Sequence, residues 1–257
     1  VPGYGGRQIM KLSLDVNKIS HGEIILRVAG FIFFFSFVLW RLHIIRQYGN
    51  DYMLRTSPAV FYAYRALWAA ETLVFVIYAG AYLFRKPAKR LANGFMEVVF
   101  PFFVAGLPFL MIRQSFLVRL YPDKINPYQD ITRILWNGRY MYVFQVNLSP
   151  LPLLVILFVM LIGTLIMLLA LMKLWRSFSI MTEARSLVRD GIYKYIRHPL
   201  YVGEIISYLG VLLMRFSLVN VLIFLLFTAC QVIRARIEER KLESIFPEYA
   251  EYKKTAY

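Results

Sequence analysis

The feature that most limits what this chain can become is the run from Leu148 to Met172, which contains no charged residue and carries its prolines, Pro150 and Pro152, only at the entrance. At about 1.5 Å of rise per helical residue, the run exceeds the roughly 30 Å hydrocarbon core of a bilayer. Inside lipid each backbone N–H must find its acceptor within the segment, so such a run is expected to be a membrane-crossing helix. Proline in its first turn sacrifices no hydrogen bond. Ile24 to Ile45 is a second such run, with Arg27 and Arg41 near its ends, where they would snorkel to the interface. Val60 to Phe84 follows with Arg65 and Glu71, and Leu91 to Ile112 with Glu97, Pro101 and Pro108.

Two shorter apolar arms, Leu200 to Met214 and Leu218 to Cys230, are joined across Arg215-Phe216-Ser217 and read as a helical hairpin. The first arm would cover only about 23 Å, so the pair spans a thinned bilayer or enters part way. Gln231 to Glu243 has neither Gly nor Pro, and the second arm is expected to continue through it as a helix that leaves the membrane. The predicted fold is all-α: a polytopic helical membrane protein with five or six transmembrane helices, a C-terminal hairpin and a cytosolic amphipathic tail. The expected division is a tail over 1–23, N-terminal spans over 24–147 and a C-terminal core over 148–257.

Composition agrees with a lipid-facing chain: 59% of residues are hydrophobic and only 18% charged. A formal net charge of +15 would suggest nucleic acid on a soluble protein, but here the basic residues fall in the gaps between apolar runs. No nucleic-acid partner is expected. Six spans place both termini beside Arg85-Lys86-Pro87-Ala88-Lys89-Arg90 and the basic stretch from Lys173 to Pro199, which makes that side cytosolic by the positive-inside rule. The stretch from Arg113 to Asn147, also net positive, opposes this mildly. A lone Cys230 excludes an intramolecular disulfide, and His21, His43 and His198 are too scattered to share a helical face, so no metal site is expected. The glycine-rich opening, Val1 to Gly6, reads as a loose tail.

The densest set of hydrogen-bonding side chains runs from Arg189 to Glu204, immediately before the first hairpin arm. Gly191 permits a turn with positive φ, Pro199 suits the first turn of the next helix, and Gly203 allows a ligand or another helix close to the backbone. Tyr193, Arg197, His198 and Tyr201 would surround the start of that helix, whose free N–H groups favour an anionic group. The bland alternative is that the cations bind lipid headgroups and the tyrosines form an interfacial belt. Past the second arm, Arg234 and Glu238 are four apart and share a helical face, so they either pair or hold opposite ends of a zwitterion. Closure of the hairpin would bring Glu238 and Glu239 towards His198 and Tyr201.

Gly191-Ile192-Tyr193, then Arg197-His198-Pro199-Leu200-Tyr201-Val202-Gly203, Leu209-Gly210, the Arg234 to Glu239 cluster and Phe246-Pro247-Glu248-Tyr249-Ala250-Glu251-Tyr252 together resemble the isoprenylcysteine carboxyl methyltransferases and the related phospholipid methyltransferases. The likeness covers about residues 185 to 255. It implies an S-adenosylmethionine pocket open to the cytosol, with Tyr193, Arg197, His198, Pro199, Tyr201, Gly203 and Glu239 as cofactor contacts. Arg234 and Glu238 match that family's active-site pair. It also implies a lipophilic acceptor arriving from the bilayer, with the carboxylate of an isoprenylcysteine-like compound expected first and a lipid amine or thiol as alternatives. An NADPH-dependent sterol-type reductase, which shares the core around Arg197-His198-Pro199, and a non-catalytic lipid-binding protein are the rival readings. Oligomeric state is left open.

Overall fold

In the computed structural model, residues 21–48, 57–112, 150–216 and 218–256 are described. The first 20 residues of the predicted 1–23 tail, the loop from Arg113 to Asn147 and the first two residues of the Leu148 run lie outside them. The helices are α1 (His21–Tyr48), α2 (Pro58–Phe84), α3 (Phe95–Ile112), α4 (Pro150–Leu174), α5 (Pro199–Met214), α6 (Leu218–Glu243) and α7 (Tyr249–Thr255), with a 3-10 turn at Gly191–Lys194. No strand occurs among the described residues; one isolated bridge joins Arg90 to Ala184. α1, α2, α4 and α6 are long and apolar enough to cross a membrane, and α3 and α5 are shorter apolar helices. The predicted helical membrane fold is present, and its hairpin is α5 and α6, the latter continuous through the charged residues to Glu243.

Local chemistry sets the ends. Ser57 caps α2 by accepting from the Val60 amide at 3.5 Å, with Pro58 in the first turn. α2 stops at Phe84 just before Lys86-Pro87, where proline disfavours helical geometry in the residue ahead of it. Gly94, at φ 74°, turns the chain into α3. His198 stands at the N-cap of α5 and Pro199 follows as its first helical residue.

Glycine decides how closely α4 and α5 approach. A Cβ on Gly203 would lie 2.7 Å from the Gly163 carbonyl oxygen, and one on Gly163 would lie 2.5 Å from the Ser207 amide nitrogen. One on Gly210 would lie 2.2 Å from Cγ of Met160. Lipid offers no hydrophobic drive for helices to associate, so backbone contact of this kind and the Ser207–Thr164 hydroxyl contact at 3.4 Å supply the cohesion. α2 packs on α4 through Val60, Leu67, Leu153 and Leu157, and α3 packs on α6 through Phe100, Val104, Phe227 and Cys230.

The arginines of α1 do not snorkel. Arg27 pairs with Glu23 at 3.1 Å and donates to the Arg85 carbonyl at 2.6 Å. Arg41 pairs with Glu71 at 2.9 Å, donates to Thr72 at 2.9 Å and lies over the Trp68 ring. In each case acceptors on α1, α2 or the exit of α2 lie within hydrogen-bond reach, so the cation is satisfied within the bundle. Glu97 and Arg65 also find local partners: Glu97 pairs with Lys241 at 2.6 Å, and Arg65 lies over Phe61.

The chain between α4 and α5 is pinned over one end of the bundle. Lys86 donates to Arg176 O at 2.7 Å, Thr182 to Glu97 O at 2.9 Å, and Lys241 Nζ to Thr182 O at 2.7 Å. Below it Glu23 meets Arg85 at 2.9 Å and Arg185 at 3.2 Å, and Glu183 meets Arg185 at 2.7 Å. Burial, and next the neighbouring Arg185, push the Arg85 guanidinium below its ordinary pKa, and the two glutamates oppose that shift. This cluster fastens the crossing segment to the ends of α1 and α2.

Candidate active site

The site begins with a turn that only glycine makes easily. Gly191, at φ 62°, reverses the chain, and a Cβ there would also press on the Lys173 side chain at 2.7 Å. Lys173 in turn pairs with Asp190 at 2.6 Å. The 3-10 turn that follows buries Tyr193, whose carbonyl accepts from the Tyr252 hydroxyl at 2.6 Å and so ties the C-terminal α7 to the start of α5. Burial and then the charge of Glu238 raise the Tyr193 phenol above its ordinary range, so it stays a neutral donor.

α5 and α6 run antiparallel and meet through successive polar rungs. At the mouth, His198 Nε2 lies 3.2 Å from Glu239 Oε1, and Arg197 pairs with the same carboxylate at 3.0 Å. Lys253 from α7 reaches the other Glu239 oxygen at 3.2 Å. One turn along, the Tyr201 hydroxyl donates to Glu238, which lies 3.5 Å from Arg234 Nε. The Arg234 guanidinium stands over the Tyr201 ring at 5.0 Å and donates to the Ile180 carbonyl at 2.7 Å. The His198 and Tyr201 rings stack, 5.5 Å between centroids. Helix period explains the pattern: residues three and four apart share a face, and both arms present their polar residues on the face turned to each other.

These groups border a cavity roofed by the segment from Ser177 to Val188 and closed by Tyr249 and Tyr252. Of the residues expected at the cofactor, Tyr193, Arg197, His198 and Tyr201 line it, as do Arg234 and Glu238. Pro199, Gly203 and Glu239 do not. Pro199 is buried at the helix start, Gly203 faces α4, and Glu239 stands behind Arg197 and His198, holding both. Sequence reasoning missed the roof: Phe178, Ser179, Thr182 and Arg185 lie in a stretch with no regular period, and only its density of Ser and Thr hints at a lining.

The cavity has unmet hydrogen-bonding capacity. Ser179 Oγ, Thr182 Oγ1, Tyr249 Oη and the Nε atoms of Arg185, Arg197 and Arg234 are buried without a hydrogen-bond partner, and all six residues line it. Buried polar groups are almost always satisfied, so a convergent set of orphans marks a place for a polar ligand. Arg185, Arg197, Arg234 and Lys241 stand against Glu183 and Glu238, so the surroundings suit a ligand bearing a carboxylate together with hydroxyl or ring-nitrogen acceptors.

Fold and cavity together define a helical membrane protein that holds a polar site at the end of its last spans. Residues 152–249, which take in most of α4, the roof, the hairpin and its exit, match the phospholipid methyltransferase family. The chain is also similar to the cobalt-zinc-cadmium resistance protein CzcN of Cupriavidus metallidurans, 43% identical over 68 residues. That match takes in 26% of this chain and 32% of CzcN, so the chain spans about a third of the relative's length. Among the described residues there is no group of three or more His, Cys, Asp or Glu placed to hold a metal ion.

Proposed function

We propose that this protein transfers a methyl group from S-adenosylmethionine to a lipophilic acceptor that reaches the cavity from the bilayer. The observation that carries this reading is the set of unpartnered buried donors converging where α5 starts and α6 leaves the membrane. S-adenosylmethionine fits that set, with a carboxylate for Arg197 and hydroxyl and ring acceptors for Ser179, Thr182 and Tyr249. Bound there, it supplies an electrophilic methyl on a sulfonium, for which no metal is needed.

The residues of the chain do the positioning. Arg197, steadied by Glu239, holds the anionic end of the donor, and His198, stacked on Tyr201, walls the entrance. Arg234 and Glu238 stand at the inner face, where the acceptor's head group arrives, and Tyr201 fixes the Glu238 carboxylate by donating to it. The roof and α7 exclude water, which keeps the acceptor nucleophile unsolvated and in line. The family match of residues 152–249 supports transfer to a lipid, and the basic segments flanking the cavity support a cytosolic opening.

The test is transfer of radiolabelled methyl from S-adenosylmethionine into a total membrane lipid extract by detergent-purified protein, with the labelled product identified. Label in an organic-soluble product is expected. No label, together with NADPH-dependent reduction of a sterol double bond, would replace the proposal with the reductase reading.

A further inference from the structure

The segment that roofs the cavity is anchored on its outer side at the ends of α2 and α4. Trp175 follows the last residue of α4, and a Cβ on Gly80 of α2 would lie only 3.3 Å from its Cζ3, so the indole rests directly against that glycine. Its ring meets Phe84, the last residue of α2, with centroids 5.6 Å apart. Phe84 is 57% exposed and Trp175 38%, so the two rings form an aromatic shelf on the outside of the bundle. Just beyond it the Lys86 amide donates to the Arg176 carbonyl at 2.7 Å, which brings two exposed cations together. Neither side chain has a hydrogen-bond or ion-pair partner among the described residues. Neighbouring cations are engaged elsewhere: Lys173 pairs with Asp190, Arg85 is buried against Glu23, and Lys89 lies over Phe246.

Gly80 lies one turn before Phe84, about 6 Å further into the apolar span, so the shelf faces hydrocarbon and the cations stand on its polar side. An apolar shelf with paired cations above it complements a phospholipid, whose first methylenes pack on the rings while its phosphate meets the charge. Single Lys, Arg and Trp residues at a membrane interface are ordinary anchors that need no particular lipid. Here the two cations are adjacent, have no acidic residue paired with them and sit on one seam between two spans, and a basic pocket between spans selects an anionic headgroup. The place also bears on the cavity, although neither Lys86 nor Arg176 borders it. Lys86 O accepts from Arg185, and Arg176 directly precedes Ser177; Arg185 and Ser177 both line the cavity. A ligand that fixes Lys86 and Arg176 therefore acts on the roof at two points.

We propose that Lys86 and Arg176, above the shelf of Trp175 and Phe84, bind the phosphate of an anionic phospholipid, and that this lipid steadies the roof of the cavity. It is a resident lipid and is not consumed. That the site binds an anionic lipid stands apart from the methyl-transfer reading; that its occupancy favours a methyl donor rests on that reading. Such coupling is reciprocal, so lipid that tightens donor binding is itself held more tightly when the donor is bound.

The experiment reconstitutes the protein in phosphatidylcholine vesicles and titrates in phosphatidylglycerol or, separately, phosphatidylcholine with brominated acyl chains, which quench nearby indoles. The Trp175 contribution is the difference between wild type and Trp175→Phe, a change that keeps a ring on the shelf. Brominated phosphatidylglycerol is expected to quench it at about tenfold lower mole fraction than brominated phosphatidylcholine, on the strength of two cations. Lys86→Gln and Arg176→Gln together, which leave the backbone bonds in place, are expected to erase that preference. Equal quenching by the two lipids in wild type, or a preference that survives the double substitution, overturns the site. Calorimetric titration with S-adenosylhomocysteine in vesicles with and without phosphatidylglycerol then reads the roof: binding several-fold tighter with the anionic lipid is expected in wild type and not in the double variant. Binding of equal strength in both vesicles overturns the steadying of the roof. No binding in either would instead strike the methyl-transfer reading, and the quenching would still judge the lipid site.

Discussion

Arg234 is constrained from several sides: Tyr201 lies beneath its guanidinium, Ile180 O accepts from one terminal nitrogen, and Glu238 lies a turn away on the same helix. A side chain so confined at 6% exposure is oriented before any ligand arrives, which is what positioning a head group requires. Arg234→Ala and Glu238→Ala are therefore expected to abolish methyl transfer while the protein still inserts and elutes as a folded species; unchanged rates in both would reduce the pair to helix-surface charges. Tyr201→Phe removes only the hydroxyl that donates to Glu238. It is expected to cost about 1 kcal/mol of stability, read by thermal unfolding, and to lower turnover more than acceptor affinity, since the pocket keeps its shape.

At the scale of elements, the joint between α4 and α5 sets where the cavity floor lies. Gly163→Val would force a side chain into the Ser207 backbone, and an overpacking loss of about 1–3 kcal/mol in thermal unfolding is expected, with a weaker S-adenosylhomocysteine response because α5 carries His198 and Tyr201. The crossing segment is a second joint. Arg185→Ala would leave Glu183 and Glu23 short of a buried partner, and a loss of about 3–5 kcal/mol is expected from the same measurement. The spans and the hairpin were legible because apolar runs and helix period are local signals: Leu148 to Met172 could be little else, and Gly191 and Pro199 marked their turn and their helix start. Cavity-lining Tyr193, Arg197, His198 and Tyr201 were legible from a different local signal, the density of hydrogen-bonding side chains just ahead of the first hairpin arm. Gly203 was not assignable from sequence, because close approach of a helix and of a ligand ask the same thing of a glycine. The roof residues Ser179 and Thr182, and the pairing of Arg27 and Arg41 with α2 instead of headgroups, depend on which segments meet across the bundle, and no local pattern encodes that.

For the whole molecule, orientation and occupancy remain the claims that join fold to function. Asp190 is well exposed beside the cavity mouth and the native Cys230 is buried, so Asp190→Cys offers a single reporter of sidedness. It should react with a membrane-impermeant maleimide in inverted vesicles and not in right-side-out ones; the reverse pattern would place the cavity outside. The central claim is that the start of α5 and the exit of α6 form one pocket for a methyl donor. Calorimetric titration of the purified protein with S-adenosylhomocysteine and with NADPH tests it most directly. Saturable binding of S-adenosylhomocysteine that is lost in Arg197→Ala, with no heat from NADPH, is the predicted result; saturable binding of NADPH alone would contradict it.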